Sequence, residues 1–260
     1  MREILKEAEA HIQDGYGRAQ EHAKQPLPKR FYKEVSTDEV GGKHRVLLDG
    51  KPIKTPGKKT VEFPDPKLAQ LVADEWAAAE EKIDPSKMPL TRLCNTIVES
   101  GEEHLQPVRA ELLKYAGSDL LFYRADGPDS LVALQRQHWD APLEMFEREY
   151  GAKFELVGGV MHVMQPQESL DKIDALVQRY GLFSAFAAMS ITSITGSALL
   201  AIGLREGHFE SEQVWTAAYV DENYQASQWG EDEQAMAARA FKRQDYDAAV
   251  RLFELLNPEV

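Results

Sequence analysis

The stretch KHRVLLDGKPIKTPGKKTVEFPDPKLAQLVADEW, Lys43–Trp76, changes its pattern of apolar residues at one point, and that change decides the fold. In its first part, β-branched and aromatic residues lie in short runs separated by turn residues, which is typical of strands. Asp49-Gly50 predicts a two-residue hairpin, because a type I′ turn needs positive φ at both positions. From Asp65 the apolar residues recur at helical spacing, and Asp65-Pro66 is a typical helix start.

The residues on either side complete the N-terminal half of the prediction. Residues 1–25 have the pattern of a weakly amphipathic helix or arm, which the prolines of QPLPKR end. The strand pattern then runs to the helix predicted over Asp65–Ile83. We therefore predict an N-terminal arm, residues 1–25, and a β-containing domain, residues 26–88. Trp76 is expected to have a structural role where the helix meets the strands.

Nearly everything downstream has helical periodicity, apart from the extended segment KFELVGGVMHVMQP, residues 153–166. The predicted helices span Leu90–Ser100, Glu102–Ala116, Ser130–Tyr150, Leu170–Tyr180, Leu182–Arg205, Ser211–Trp229 and Asp232–Leu256. The predicted fold class is therefore α+β. A small N-terminal β-meander domain with a packed helix is followed by a larger all-helical domain, an orthogonal bundle over residues 89–260.

The composition is that of an acidic soluble protein. Hydrophobic residues make up 43% of the 260 residues and charged residues 28%, which is enough for a sizeable core. The formal net charge of −13 argues against nucleic acid or an anionic membrane as a partner. The longest apolar run, SALLAIGL, is too short for membrane insertion, and no secretory signal or presequence is evident. The single cysteine, Cys94, excludes an internal disulfide and fits a reducing cytoplasm.

The sequence predicts no active site and no cofactor. Its seven histidines lack metal-ligand spacing, and no phosphate-binding loop or nucleophile elbow is present. The single cysteine, Cys94, lies on an apolar helix face, which predicts a buried, inert thiol. Trp139 and Asp140 are adjacent to His138, so these side chains point in different directions, and we assign the first two structural roles. Catalytic residues, metal, cofactor and small-molecule substrate are all expected to be absent.

The stretch YVDENYQASQWG, which begins at Tyr219, places a carboxylate where a core face is expected. On one continuous helix, Trp215, Glu222 and Trp229 are seven residues apart and share a face, with Gln225 in the same stripe. Burial of an unpaired carboxylate is strongly unfavourable. Glu222 must therefore have a partner, face water or serve a function.

Three interpretations of Glu222 stay open at this point. It belongs to a partner-binding surface, or it is the acid or base of an unrecognised enzyme, in a cleft between the two domains. In the third interpretation it forms a buried ion pair with an arginine such as Arg92, Arg109 or Arg124.

The surrounding segment is strongly acidic. From Glu206 to Ala238 the chain has eight acidic residues and neither Lys nor Arg. Such a segment is either a solvated surface that keeps the protein soluble or a docking surface for basic groups and backbone donors.

A set of short runs, in order from about Lys29 to Glu233, resembles one known family. The runs are KRFYK, LLDGKPIKTP, LAQLVADEW, MPLTRLCNT, SDLLFYRA, LQRQHWDAPLE and DENYQASQWGEDE. They resemble the F1-ATPase assembly chaperones known as ATP synthase F1 assembly factor 2. The resemblance implies a β-containing N-terminal domain and a helical bundle. Since no presequence is evident, it also implies a bacterial cytoplasmic protein, or a mitochondrial matrix protein in a eukaryote. It also implies a non-enzymatic chaperone, which binds the unassembled F1 alpha subunit until that subunit pairs with beta, without nucleotide or metal.

The family's pattern E-x-x-Q followed by W-G carries over to four residues of this chain, and the aromatic residues of the same stripe extend the set. The predicted partner-binding residues are Trp215, Tyr219, Glu222, Gln225, Trp229 and Gly230.

Overall fold

A small antiparallel sheet precedes a mostly helical region in the computed structural model, which describes residues 27–256. The predicted α+β class is therefore confirmed. The arm predicted over residues 1–25 lies outside the described residues. Within residues 27–256, no helix combines the length and the apolar character needed to cross a bilayer.

Three strands pair in chain order to form the sheet. They are β1 (Val35–Val40), β2 (Lys43–Leu48) and β3 (Lys51–Pro52). The turn between β2 and β3 is the predicted one, with φ of +47° at Asp49 and +76° at Gly50. The Asp49 carboxylate also accepts hydrogen bonds from the N–H groups of Lys33 and Glu34, at 3.0 and 2.9 Å. This aspartate therefore both shapes the hairpin and holds the chain that enters β1.

Helix α1 (Pro66–Ala77) packs on the sheet through its fully buried residues Leu68 and Val72. Asp65 caps it, as predicted, by accepting a hydrogen bond from the N–H of Lys67 at 2.7 Å. The helix ends before the predicted Ile83. The residues after the helix form backbone hydrogen bonds with the segment that precedes β1 instead. For example, the N–H of Ile83 donates to the carbonyl of residue 28 at 2.9 Å.

The helical region also contains one pair of short strands. Its helices are α2 (Pro89–Ser100), α3 (Leu105–Ala116), α4 (Asp129–Tyr150), α5 (Gln167–Val177), α6 (Leu182–Thr195), α7 (Ala198–Arg205), α8 (Ser211–Ala218), α9 (Val220–Trp229) and α10 (Glu233–Leu256). The strands β4 (Tyr123–Arg124) and β5 (Val157–Gly158) pair in parallel. Helix α10 packs on α6 and α2, and the buried side chains of the sheet and of the helices form one core.

Several predicted helices begin or end differently in this region, and the helix predicted over Leu170–Tyr180 spans Gln167–Val177. The single helix expected over Leu182–Arg205 is wrong, because the chain adopts left-handed φ of +74° at Gly196. Ser197 then caps α7 by accepting a hydrogen bond from the N–H of Leu200 at 3.0 Å. The first turn of the helix predicted over Glu102–Ala116 is a 3₁₀ turn, and the α-helix begins at Leu105.

Cys94 and Trp76, which the sequence predicts to have structural roles, both lie on helices that pack in the core. Cys94 is buried on α2, and burial raises the pKa of its thiol. Trp76 is half-buried on α1, where its ring lies edge-to-face against Tyr32 with a centroid distance of 5.8 Å. The Tyr32 hydroxyl donates to the carbonyl of Trp76 at 2.6 Å, which ties the helix to the segment that leads into β1.

Asp119 is a fully buried carboxylate between α3 and α7. It accepts hydrogen bonds from the N–H of Leu121 at 3.2 Å and from the N–H of Leu199 at 2.9 Å. One side chain therefore caps both the turn over residues 120–122 and the start of α7. Burial raises the pKa of Asp119 to about 6, although the hydrogen bonds that it accepts act in the opposite direction.

The raised pKa of Asp119 predicts a pH-dependent stability. The ordinary pKa of an aspartate is 3.8 and that of folded Asp119 is about 6. Between these two pH values the Asp119 carboxyl is protonated in the folded protein and ionised in the unfolded chain. This contribution to stability is present below about pH 4 and is lost as the pH rises through 6. The melting temperature of the wild type, measured relative to that of Asp119→Asn, should therefore fall between pH 4 and 7. A constant difference across that range would show that the folded carboxyl has an ordinary pKa.

Candidate functional site

The stripe predicted on a single helix is divided into two parts. The continuous helix expected over Ser211–Trp229 is wrong, because α8 ends at Ala218 and α9 begins at Val220, with Tyr219 at φ −112° and ψ 23°. Trp215 and Tyr219 are buried. Further along, Glu222 and Gln225 are exposed, and Trp229 is 80% exposed.

The break has a physical cause in the packing of α9. A straight helix would carry the Glu222 carboxylate onto the buried face of Trp215, where desolvation would be unfavourable. The first turn of α9 is instead held against α4, because Gln135 donates from Nε2 to the Asp221 carboxylate at 2.8 Å. Val220, between these turns, is buried. The break thus allows the Val220 side chain to be buried while the Glu222 side chain stays exposed to water.

The buried half of the stripe is an aromatic cluster under two arginines of α10. The ring centroids of Trp215 and Tyr219 are 4.4 Å apart, and those of Trp215 and Tyr246 are 5.1 Å apart. The guanidinium of Arg239 lies 4.5 Å from the centroid of Tyr219, and that of Arg243 lies 5.1 Å from the centroid of Trp215. Cation–π attraction therefore adds to the packing of α8 on α10.

The same two arginines also bind polar groups of α8 and α9. Arg239 donates to the Asn223 side-chain oxygen at 2.6 Å. Arg243 pairs with Glu212, and this pairing lowers the pKa of the Glu212 carboxyl. Part of the acidic segment is therefore neutralised within the fold, whereas Glu222 stays exposed to solvent.

Two tyrosine hydroxyls of the aromatic cluster provide a matched pair. The hydroxyl of Tyr219 is buried without a hydrogen-bond partner among the described residues, whereas that of Tyr246 donates to the Ser211 carbonyl at 2.8 Å. We expect Tyr246→Phe to cost about 1 kcal/mol of unfolding free energy and Tyr219→Phe to cost nothing or to stabilise slightly. Urea unfolding of both variants measures the difference. Equal losses would contradict the unpaired state of the Tyr219 hydroxyl.

The exposed half of the stripe is a polar and aromatic face on α9, which we call the α9 face: Glu222, Gln225 and Trp229. Their spacing of three and four residues places them on one side of the helix. Within residues 27–256, these three side chains make neither a hydrogen bond nor an ion pair. The α9 face can therefore bind another molecule without first breaking an internal contact.

Gly230 ends α9 directly after the exposed tryptophan. Its φ of +88° lies in a region that side chains with a Cβ rarely adopt, and its N–H donates to the Ala226 carbonyl at 2.9 Å. The glycine thus serves to turn the chain toward α10, and it sets where the indole of Trp229 stands.

The buried ion-pair interpretation of Glu222 is wrong, because each of the arginines considered binds elsewhere. Arg92 pairs with Asp245, Arg109 donates to the Tyr180 carbonyl at 3.1 Å, and Arg124 pairs with Asp140 at 2.7 Å.

Two pockets lie away from the α9 face. A groove of about 600 Å³ between α4 and α8 is lined by residues that include Pro142, Met145 and Val214. A second, of about 410 Å³, lies beside α1, α2 and α10. Glu222 lines neither of them, so these pockets give no support to its role as an acid or base in a cleft. Residues 27–256 contain no group of three His, Cys, Asp or Glu side chains placed to hold a metal ion.

Trp139 and Asp140 hold α4 against its neighbours. Trp139 is almost fully buried and donates from its indole nitrogen to the Ala217 carbonyl of α8 at 2.8 Å. Arg124 lies over the Trp139 ring, 5.4 Å from its centroid, while it pairs with Asp140. These contacts fix the position of α8, from which α9 projects.

The sequence did not point to Gln135, which holds α9 in place. A glutamine on a helix carries no signal of a long-range partner. Asp221 carries a local signal instead, because an acidic residue is favourable in the first turn of a helix. This is the signal that could have located the start of α9.

Comparison with known proteins gives matches in sequence and in structure. A family model described as ATP12 chaperone protein matches residues 29–147. The mitochondrial protein atp12 of Schizosaccharomyces pombe is 24% identical over 229 residues, which cover 82% of this chain and 79% of that protein.

Solved bacterial structures are more similar. A protein of Agrobacterium tumefaciens, described as a chaperone candidate, is 42% identical with a TM-score of 0.86, over 92% of this chain and 90% of that chain. Atp12 from Paracoccus denitrificans is 33% identical with a TM-score of 0.81, over 88% of this chain and 99% of that chain. These matches confirm the resemblance found in the sequence, and the chain belongs to the ATP12 chaperone family.

Proposed function

We propose that this protein is an assembly chaperone for the F1 sector of ATP synthase, and that it holds the unassembled alpha subunit until beta replaces it. Membership of the ATP12 family supports a role in ATP synthase assembly. The alpha subunit as client, and the bacterial cytoplasm as the place of action, are the further steps of this proposal.

The observation that carries the binding site is the exposure of Trp229. Its indole is 80% exposed at the end of α9, and no other described side chain is hydrogen-bonded to it. Tryptophan is among the residues that contribute most to binding when a partner buries them. An F1 subunit that has not met its neighbour exposes apolar surface, which such an indole can cover.

Glu222 and Gln225 keep the same face soluble. A wholly apolar face would promote aggregation of the free chaperone and would release its client slowly. The Glu222 carboxylate is hydrated in the free protein, and in the complex it can accept a charge-assisted hydrogen bond from an arginine or a backbone N–H. Such a bond corresponds to about ten- to a hundredfold in affinity.

The proposed mechanism needs binding and release but no turnover. The α9 face presents an indole, an amide and a carboxylate, without a nucleophile or a second titratable group within its three residues. Beta displaces the chaperone when it binds the shared surface of alpha more tightly than the α9 face does. We therefore propose a non-enzymatic role without nucleotide, metal or other cofactor.

Substitution on the α9 face tests the site. Because these side chains are exposed, Glu222→Gln and Trp229→Ala should keep the wild-type melting temperature. Each variant should bind purified, unassembled alpha subunit about tenfold more weakly, or worse, in a titration by biolayer interferometry. The matched controls are Glu254→Gln, an exposed glutamate of α10, and Phe31→Ala, an exposed aromatic residue beside the sheet.

Three results would contradict the proposal. Wild-type affinity in both α9 variants would exclude the α9 face as the client site. A melting temperature several degrees lower in Glu222→Gln would show an internal role for the carboxylate. Binding of the wild type to isolated beta but not to isolated alpha would show that the client is misassigned.

A further inference from the structure

A second exposed apolar surface lies far from the α9 face in sequence. We call it the methionine loop: residues 156–164, LVGGVMHVM, between the start of β5 and α5. Val160 is 91% exposed, Met161 74% and Met164 83%. Exposed apolar side chains are common singly, but a run of them in one loop indicates a surface that a partner covers.

A buried glutamine closes the neck of this loop. Gln165 accepts a hydrogen bond from the N–H of Glu155 at 2.9 Å and donates to the carbonyl of the same residue at 3.0 Å. Gln165 itself is 8% exposed. Within the loop, the N–H of Gly159 donates to the carbonyl of Arg124 at 2.9 Å. These bonds hold the apolar tip out in water, although collapse onto the protein would bury it.

The methionine loop and α9 are anchored on the same part of the chain. Strand β5, at the start of the loop, pairs with β4. The residue after β4, Ala125, donates its N–H to the side-chain oxygen of Gln135 at 2.8 Å. The nitrogen of the same amide donates to Asp221 in the first turn of α9. One buried amide therefore links the loop's strand pair to the helix that carries Trp229.

We propose that the methionine loop is a second contact arm for the client of the α9 face, and that it binds an apolar patch of the unassembled F1 alpha subunit. This inference rests on the proposed function. Methionine side chains are flexible and polarisable, so they adapt to surfaces of different shape. A loop of this kind, linked through Gln135 to the helix that carries Trp229, suits a client that has to be released again.

Charge distinguishes this client from other occupants of the loop. Residues 156–165 contain no Asp, Glu, Lys or Arg, whereas Glu222 on the α9 face is exposed and forms no ion pair with any residue of 27–256. The pair of surfaces therefore fits a partner whose apolar patch is bordered by basic groups or backbone donors. A second copy of this chain would add a like net charge of −13, and an anionic membrane would repel it too.

A double substitution in the full-length chain tests the arm. Met161→Ser/Met164→Ser changes two exposed side chains, so the melting temperature should stay that of the wild type. Affinity for purified alpha subunit should fall about tenfold or more. The matched control is Val40→Ser, an exposed apolar residue at the turn between β1 and β2. In parallel, a photo-crosslinking amino acid at position 161, and one at position 40, report what lies against each site.

Adducts with alpha from position 161 but not from position 40, together with the weaker binding, would support the inference. Wild-type affinity in the double variant would overturn it while leaving the proposed function intact. If the wild type fails to bind alpha at all, both proposals are wrong. Adducts between two copies of the chain, or flotation of the wild type but not of the variant with phosphatidylglycerol vesicles, would assign the loop to a dimer or to a membrane.

Discussion

One buried carboxylate, that of Asp119, joins the turn before β4 to the start of α7. Asp119 accepts hydrogen bonds from N–H groups of two segments that are far apart in the chain. Burial of its carboxylate would be unfavourable if those hydrogen bonds were lost. The turn that it caps leads directly into β4, and the helix that it caps follows the break at Gly196. The first capped start leads into the strand pair from which the methionine loop extends, and Leu200 at the second lines the groove beside α8.

Much of the fold follows from local sequence. The hairpin at Asp49-Gly50 depends on two residues that tolerate positive φ, and the start of α1 depends on Asp65. The burial of Cys94 follows from the apolar spacing of α2. Signals of this kind act over a few residues, so they can be identified without knowledge of the tertiary structure. The ends of helices are less predictable, because they depend on distant contacts. Helix α1 ends at Ala77, and the residues after it form hydrogen bonds with backbone groups of the segment before β1.

The arrangement of the proposed binding site depends on long-range contacts that no local pattern contains. The residues of the α9 face were identified from the family's sequence pattern, but their separation from Trp215 and Tyr219 was not. That separation depends on the bond between Gln135 and Asp221, and on arginines of α10 that cover the aromatic rings. A seven-residue spacing indicates one face only if the helix is continuous, and continuity is decided by tertiary packing.

The closed neck of the methionine loop makes it a replaceable module. Gln165 bonds to both backbone groups of Glu155, so the distance between the two ends is set without help from the side chains at the tip. Loops of other length or composition can therefore be grafted between Gly159 and Gln165 while the strand pair and α5 keep their places. Selection or design can change the surface of the tip without altering the folded core.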